Sequence, residues 1–109
     1  MQVGWRVETL NDTVDAELAA LPADMRARFV HIAELLETFG PLHVREPYVR
    51  SLGKRLFEIR MKGRDGIARA IYVVAGGQRL VVVHAFVKKT AKAPRTAIRV
   101  ALKRAIGVI

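Results

Sequence analysis

The chain has 109 residues and a mass of 12.1 kDa, room for one domain (residues 1–109) and not two. With 51% hydrophobic residues, 27% charged residues and no cysteine, it reads as a globular protein that folds without disulfides or thiolate metal sites, so a reducing cytoplasm is the expected compartment. The amino terminus has no signal-peptide core, and no apolar run approaches the roughly 18 residues that span a bilayer, so a soluble, unexported protein is expected.

The net charge of +9 is divided unevenly. Residues 1–40 carry three basic and seven acidic side chains, a net of −4; residues 41–109 carry sixteen basic and three acidic ones, a net of +13. Such asymmetry within one domain predicts a polarised surface with a polyanion as partner of the basic part. An anionic membrane or an acidic protein satisfies the charge equally well.

Trp5 to Leu10 alternates apolar and polar residues and reads as a short strand. Asn11 or Asp12 then caps a helix through about Leu21, with Val14, Leu18 and Leu21 on one side. After the break at Pro22, a second helix runs from Ala23 to Phe39, with Met25, Phe29, Ile32, Leu36 and Phe39 on one face, and Gly40-Pro41 stops it. The two helices form a hairpin whose apolar face covers a sheet.

Residues 42–53 read as irregular, with Tyr48 and Leu52 tucked against the core. In the strand Leu56 to Lys62, Phe57, Ile59 and Met61 face one way and Glu58, Arg60 and Lys62 the other. Gly63-Arg64-Asp65-Gly66 is a hairpin turn to the strand Ile67–Ala75, and Gly76-Gly77 turns into the strand Leu80–Val87, apolar enough to be covered on both faces. Pro94 opens a final helix with Ile98, Ala101, Leu102 and Ala105 inward and Arg95, Arg99 and Lys103 in a basic stripe outward. The expected architecture is α+β: an antiparallel sheet covered by an amino-terminal helical hairpin, with a carboxy-terminal helix.

On that scaffold, antiparallel pairing brings Lys62, Arg64 and Arg69 together, with Lys88 beside them if its strand end lies alongside. Clustered guanidinium and ammonium groups hold a phosphodiester and stabilise the added charge of a pentavalent transition state. Crowding also lowers lysine pKa values, which suits a lysine to proton transfer near neutral pH. The bland alternative is a set of solvated charges on an open sheet face. Arg69 fits it less well, because it interrupts the apolar run Ile67–Ile71 and so needs a partner such as Glu58 or a ligand. Glu58 either orients Arg60 or Arg69 or forms a cross-strand ion pair. His84 shares the parity of Phe86 and Lys88, so it either reaches the site or sits in the core.

The stretches Leu56-Phe57-Glu58-Ile59-Arg60-Met61-Lys62-Gly63-Arg64-Asp65-Gly66-Ile67-Ala68-Arg69 and His84-Ala85-Phe86-Val87-Lys88-Lys89-Thr90-Ala91-Lys92-Ala93-Pro94 resemble the phage-derived, HigB-like branch of the RelE/ParE toxin superfamily. Trp5-Arg6-Val7-Glu8 and Glu37-Thr38-Phe39-Gly40 resemble it too, so the likeness runs over nearly the whole chain. The resemblance implies a toxin of a type II toxin–antitoxin module that cleaves messenger RNA at the ribosome without a metal or cofactor, by attack of the ribose 2′-hydroxyl on its own 3′-phosphate. Arg60, Lys62, Arg69 and Lys88 or Lys89 would then surround the phosphate. Arg64, Lys92, Arg95, Arg99 and Lys103 would bind RNA, with Glu58, His84 and Phe86 as accessory groups. No tyrosine follows Tyr72, so the base-stacking role of the RelE branch is empty or falls to Phe86.

The implied partners are the ribosome, messenger RNA and a helix-turn-helix antitoxin of the HigA kind, in a hetero-oligomer and away from membranes. The antitoxin covers either the basic face or the acidic hairpin. Two other readings share the charge pattern: a ParE-like gyrase poison without nuclease activity, and a non-toxic nucleic-acid-binding remnant.

Overall fold

A computed structural model describes residues 4–88 and 95–108. The elements in order are β1 (Arg6–Thr9), α1 (Asp12–Ala19), α2 (Ala23–Phe39), β2 (Val49–Gly53), β3 (Leu56–Gly63), β4 (Gly66–Ala75), β5 (Arg79–Lys88) and α3 (Arg95–Ala105). They build the expected α+β architecture around one five-stranded sheet of order β1-β5-β4-β3-β2. Strands β2 to β5 are antiparallel neighbours, whereas β1 joins the far side of β5 in parallel. The pair α1–α2 supplies the long crossover that separates β1 from the meander.

Local chemistry sets the hairpin. Asn11, not Asp12, caps α1: its side-chain oxygen accepts the Val14 N–H at 3.1 Å. Gly40 ends α2 at φ +83°, which favours glycine, and a Cβ there would press on the Trp5 indole nitrogen at 3.1 Å. Met25, Ile32 and Leu36 of α2 pack on Ile59, Met61, Ala68, Ala70 and Tyr72 of the sheet. Phe57 stacks on Tyr72 at 5.4 Å on that helical side, and burial pushes the Tyr72 phenol up to about 12.

The opposite sheet face is only partly covered. Ala101 and Ala105 of α3 lie buried with Leu56, Ile71, Val73, Val81 and Val83 in a second cluster. Small side chains one turn apart let the helix approach the strands closely. Beyond that cluster, toward the Gly63–Gly66 turn, the same face carries Arg60, Lys62, Arg69 and Lys88.

Four expectations are corrected. Residues 42–53 are not irregular throughout: Val49–Gly53 pairs with β3 as an edge strand. Phe39 is 57% exposed rather than inward, because the helix runs out at Gly40. Strand β5 is buried from Leu80 to Val83, but His84 and Phe86 are half-buried and Val87 is 42% exposed, since β1 pairs only as far as Val82. Tyr48 is 36% exposed rather than tucked in, whereas Leu52 does pack against the second cluster. Among the described residues no helix is long and apolar enough to cross a membrane.

Candidate functional site

The pairing register assembles the site. Lys62 faces Ile67, which faces Lys88; Arg60 faces Arg69, which faces Phe86; Glu58 faces Ile71, which faces His84. Directly paired residues point to the same side of a sheet, so all of these lie on the face turned away from the helical hairpin. Arg50 of β2 faces Glu58 and extends the row to a fourth strand.

Burial separates these residues into two kinds. Arg69 and Glu58 are each 1% exposed, and Arg69 Nη1 donates to Glu58 Oε1. Arg69 sits in an apolar run because it is ion-paired with Glu58, the partner its place in the sequence required, and not because the face is open to solvent. Glu58 Oε2, Arg69 Nε and Arg60 Nε are buried without a hydrogen-bond partner, so the cluster keeps bonding capacity in reserve. Lys62 is exposed, and Arg60 is half-buried beside a cavity of about 260 Å³ lined by Pro47, Arg60, Lys62 and Ile67.

Lys88 is 6% exposed at the end of β5. Burial, followed by repulsion from Arg69, Arg60 and Arg50, lowers its pKa from the usual lysine value, and the opposing pull of Glu58 does not cancel this. Burial likewise lowers Arg69, with Glu58 acting against it. A low-pKa ammonium among fixed guanidinium groups can bind an oxyanion and exchange a proton with it.

The other expected residues lie elsewhere. Arg64 is in the β3–β4 turn, where its N–H donates to Asp24 Oδ2 at 2.6 Å and ties the turn to α2. Arg95, Arg99 and Lys103 are exposed on α3. Lys89 and Lys92 lie outside the described residues. His84 is half-buried rather than in a dry core: its Nδ1 lies 3.0 Å from Glu17 Oε1 and 3.3 Å from Arg104 Nη1, and its ring stacks on Phe86 at 5.0 Å. Tyr72 points to the helical side and takes no part.

Sequence reasoning missed Arg50, Glu17 and Arg104. The alternation of buried Val49 and exposed Arg50 was the available signal for Arg50. Glu17 and Arg104 meet across 87 positions, with Arg104 Nη1 at 3.0 Å from both carboxylate oxygens, and carry no local signal. Among the described residues, no three His, Asp or Glu side chains converge as metal ligands would.

Residues 16–105 match the family described as phage-derived protein Gp49-like. The chain belongs to that family. Among solved structures, the Gp49-like chain is similar to an arginine-to-alanine double mutant of the E. coli toxin RelE in the free state. The identity is 14% and the TM-score 0.67, over 94% of this chain and 99% of that one. It is also similar to a chain of the archaeal RelE–RelB complex from Pyrococcus horikoshii OT3, at 25% identity and a TM-score of 0.58, over 80% and 98% of the two chains. No curated protein matches the sequence. Family and fold make the Gp49-like chain a member of the RelE toxin superfamily.

Proposed function

We propose that this chain is the toxin of a type II toxin–antitoxin module, of the HigB-like kind, and that it cleaves messenger RNA on the ribosome in the cytoplasm. The observation that carries the reading is the row Arg60–Arg69–Phe86 flanked by Lys62 and Lys88, which sets cations from three strands on one sheet face with an aromatic ring beside them. An RNA phosphate has the charge for the cations, and a neighbouring base has the flat apolar surface for the ring.

These groups suit cleavage of a phosphodiester by its own ribose hydroxyl. The ribose 2′-oxygen attacks the adjacent phosphorus, the bond from phosphorus to the 5′-oxygen breaks, and the products are a 2′,3′-cyclic phosphate and a 5′-hydroxyl. Lys88, more easily deprotonated than an ordinary lysine, takes the 2′-hydroxyl proton, the leaving 5′-oxygen takes a proton from water, and Lys88 then returns its proton to solvent. Arg60 and Lys62 hold the non-bridging oxygens as charge builds up on them. Arg69, fixed by Glu58, contributes field rather than direct contact. Arg95, Arg99 and Lys103 meet ribosomal RNA phosphates, a contact that weakens steeply with salt. Lys89 and Lys92 extend the basic surface. The antitoxin, a helix-turn-helix protein of the HigA kind, silences the toxin in a hetero-oligomer.

Induction of the isolated gene, with growth, transcript integrity and DNA breakage followed together, tests this reading. Growth arrest with cleaved transcripts and intact DNA is expected. Arrest with DNA damage and intact transcripts identifies a gyrase poison instead, and unimpaired growth identifies a non-toxic binding protein.

A further inference from the structure

Strand β5 loses its outer neighbour half-way along. β1 ends with Thr9 paired to Val82, and the Leu10 N–H donates to Val82 O at 2.9 Å. From Val83 onward no described strand lies on that side of β5. Buried backbone groups left this way are costly, so something must bond them. Two side chains from different helices do so. Glu17 of α1 accepts the Ala85 N–H at 3.1 Å, and Arg104 of α3 donates to Val83 O at 2.9 Å. The two side chains also bond each other at 3.0 Å, closing a clasp over the strand edge.

The clasp sits on a bulge. Pairing with β4 passes from Tyr72 opposite Val82 to Ile71 opposite His84, leaving Val83 as the extra residue. A bulge re-aims the side chains that follow it. Here it turns His84 and Phe86 to the face that carries Arg69, with Phe86 directly opposite Arg69. Glu17 Oε1 holds His84 Nδ1 at 3.0 Å, and the His84 ring stacks on Phe86 with an interplanar angle of 29°. His84, Phe86, Thr96, Ala97 and Val100 line a cleft of about 180 Å³ between β5 and α3, and Arg104 anchors the far end of α3.

We infer that Glu17 and Arg104 are positioning residues that fix the His84–Phe86 stack as one wall of a nucleobase cleft beside the cationic row, and thereby set which base is accepted there. The inference rests on the RNA-cleaving reading above and adds residues that touch neither phosphate nor base. Glu17 is only partly exposed, and its carboxylate ties α1 to both β5 and α3 at this edge.

The test uses the full chain with Glu17→Ala and Glu17→Gln, acting in a translating extract on messages that differ only in the base at the cleaved step. KM and kcat are measured for each base, alongside the thermal midpoint of each variant. Discrimination between the best and the worst base should fall about tenfold in Glu17→Ala, the scale of a loosened apolar pocket. Glu17→Gln, which keeps an acceptor for the Ala85 N–H, should retain more of it. If all bases slow by one common factor, the clasp supports the fold only and the inference is wrong. Unchanged discrimination, or an unaltered chain that cleaves all bases alike, also overturns it. Absence of any cleavage by the unaltered chain removes the RNA reading and this inference with it.

Discussion

Arg69 reaches diagonally across the β3–β4 pairing to Glu58, and the resulting ion pair is buried on the same face as Arg60 and Lys88. Its consequence for mutagenesis is direct. Arg69→Ala leaves a buried carboxylate unpaired and should cost about 3–5 kcal/mol in chemical denaturation. The double change Glu58→Leu with Arg69→Met removes both charges and should recover most of that stability while activity stays low. Loss of activity in Arg69→Ala alone therefore says little about catalysis, and Lys88 and Arg60 are the sharper probes.

Lys88 gives the pH dependence its sign. Burial and the neighbouring arginines lower its pKa below 10.5, so the neutral, proton-accepting form appears at lower pH than for an ordinary lysine. The cleavage rate should rise with pH and level off below the usual lysine range. Arg60→Gln removes one like charge and should move the inflection upward. The same shift adds stability as pH rises from the lowered value to 10.5, because over that window the unfolded chain holds more protons than the folded one.

Glu17 acts at the opposite end of the pH scale. Burial works to raise its carboxyl, but hydrogen bonds from His84, the Ala85 N–H and Arg104 outweigh it and hold the pKa below 4.5. Its contribution is complete above the unfolded value and is lost as pH falls through the folded one. Glu17→Ala should cost about 1 kcal/mol at neutral pH, the low end of the cost of leaving hydrogen-bond donors unpaired, because these donors are only partly buried. The deficit relative to the unaltered chain should shrink in acid melts.

The β3–β4 turn is fixed against α2 by contact as well as by the Asp24 hydrogen bond. A Cβ on Gly63 would lie 2.7 Å from Met25 Cγ and 2.8 Å from Asp24 Oδ2. Gly63→Ala should therefore destabilise by about 1–3 kcal/mol, read as a lowered denaturant midpoint. Gly53→Ala meets no atom within 4 Å but takes on a φ of +79°, so its cost comes from the backbone alone.

The elements most legible in the sequence are those with long, uninterrupted periods. The bounds of α2 follow from Pro22, the spacing of Met25, Ile32 and Leu36, and Gly40; β3 follows from its strict alternation. The strand β2 escaped because it is a short edge strand with one buried residue, Val49, followed by a register shift before Gly53. With it went Arg50. Arg69 announced itself by interrupting an apolar run, and Glu58 is the partner that the interruption required. Glu17 could not be found this way, since its bonds run to residues 67 to 87 positions away and depend on where β1 stops.

Cleavage of a translated message by the purified chain, with the new ends identified chemically and Lys88→Met run in parallel, bears hardest on the proposed reaction. The new ends should be a 2′,3′-cyclic phosphate and a 5′-hydroxyl, at sites within the translated region. Lys88→Met should lose about 100-fold or more in rate, the scale of a proton-transfer group, with its thermal midpoint retained. An intact message in the presence of the folded, unaltered chain, or full-rate cleavage by Lys88→Met, overturns the proposed reaction.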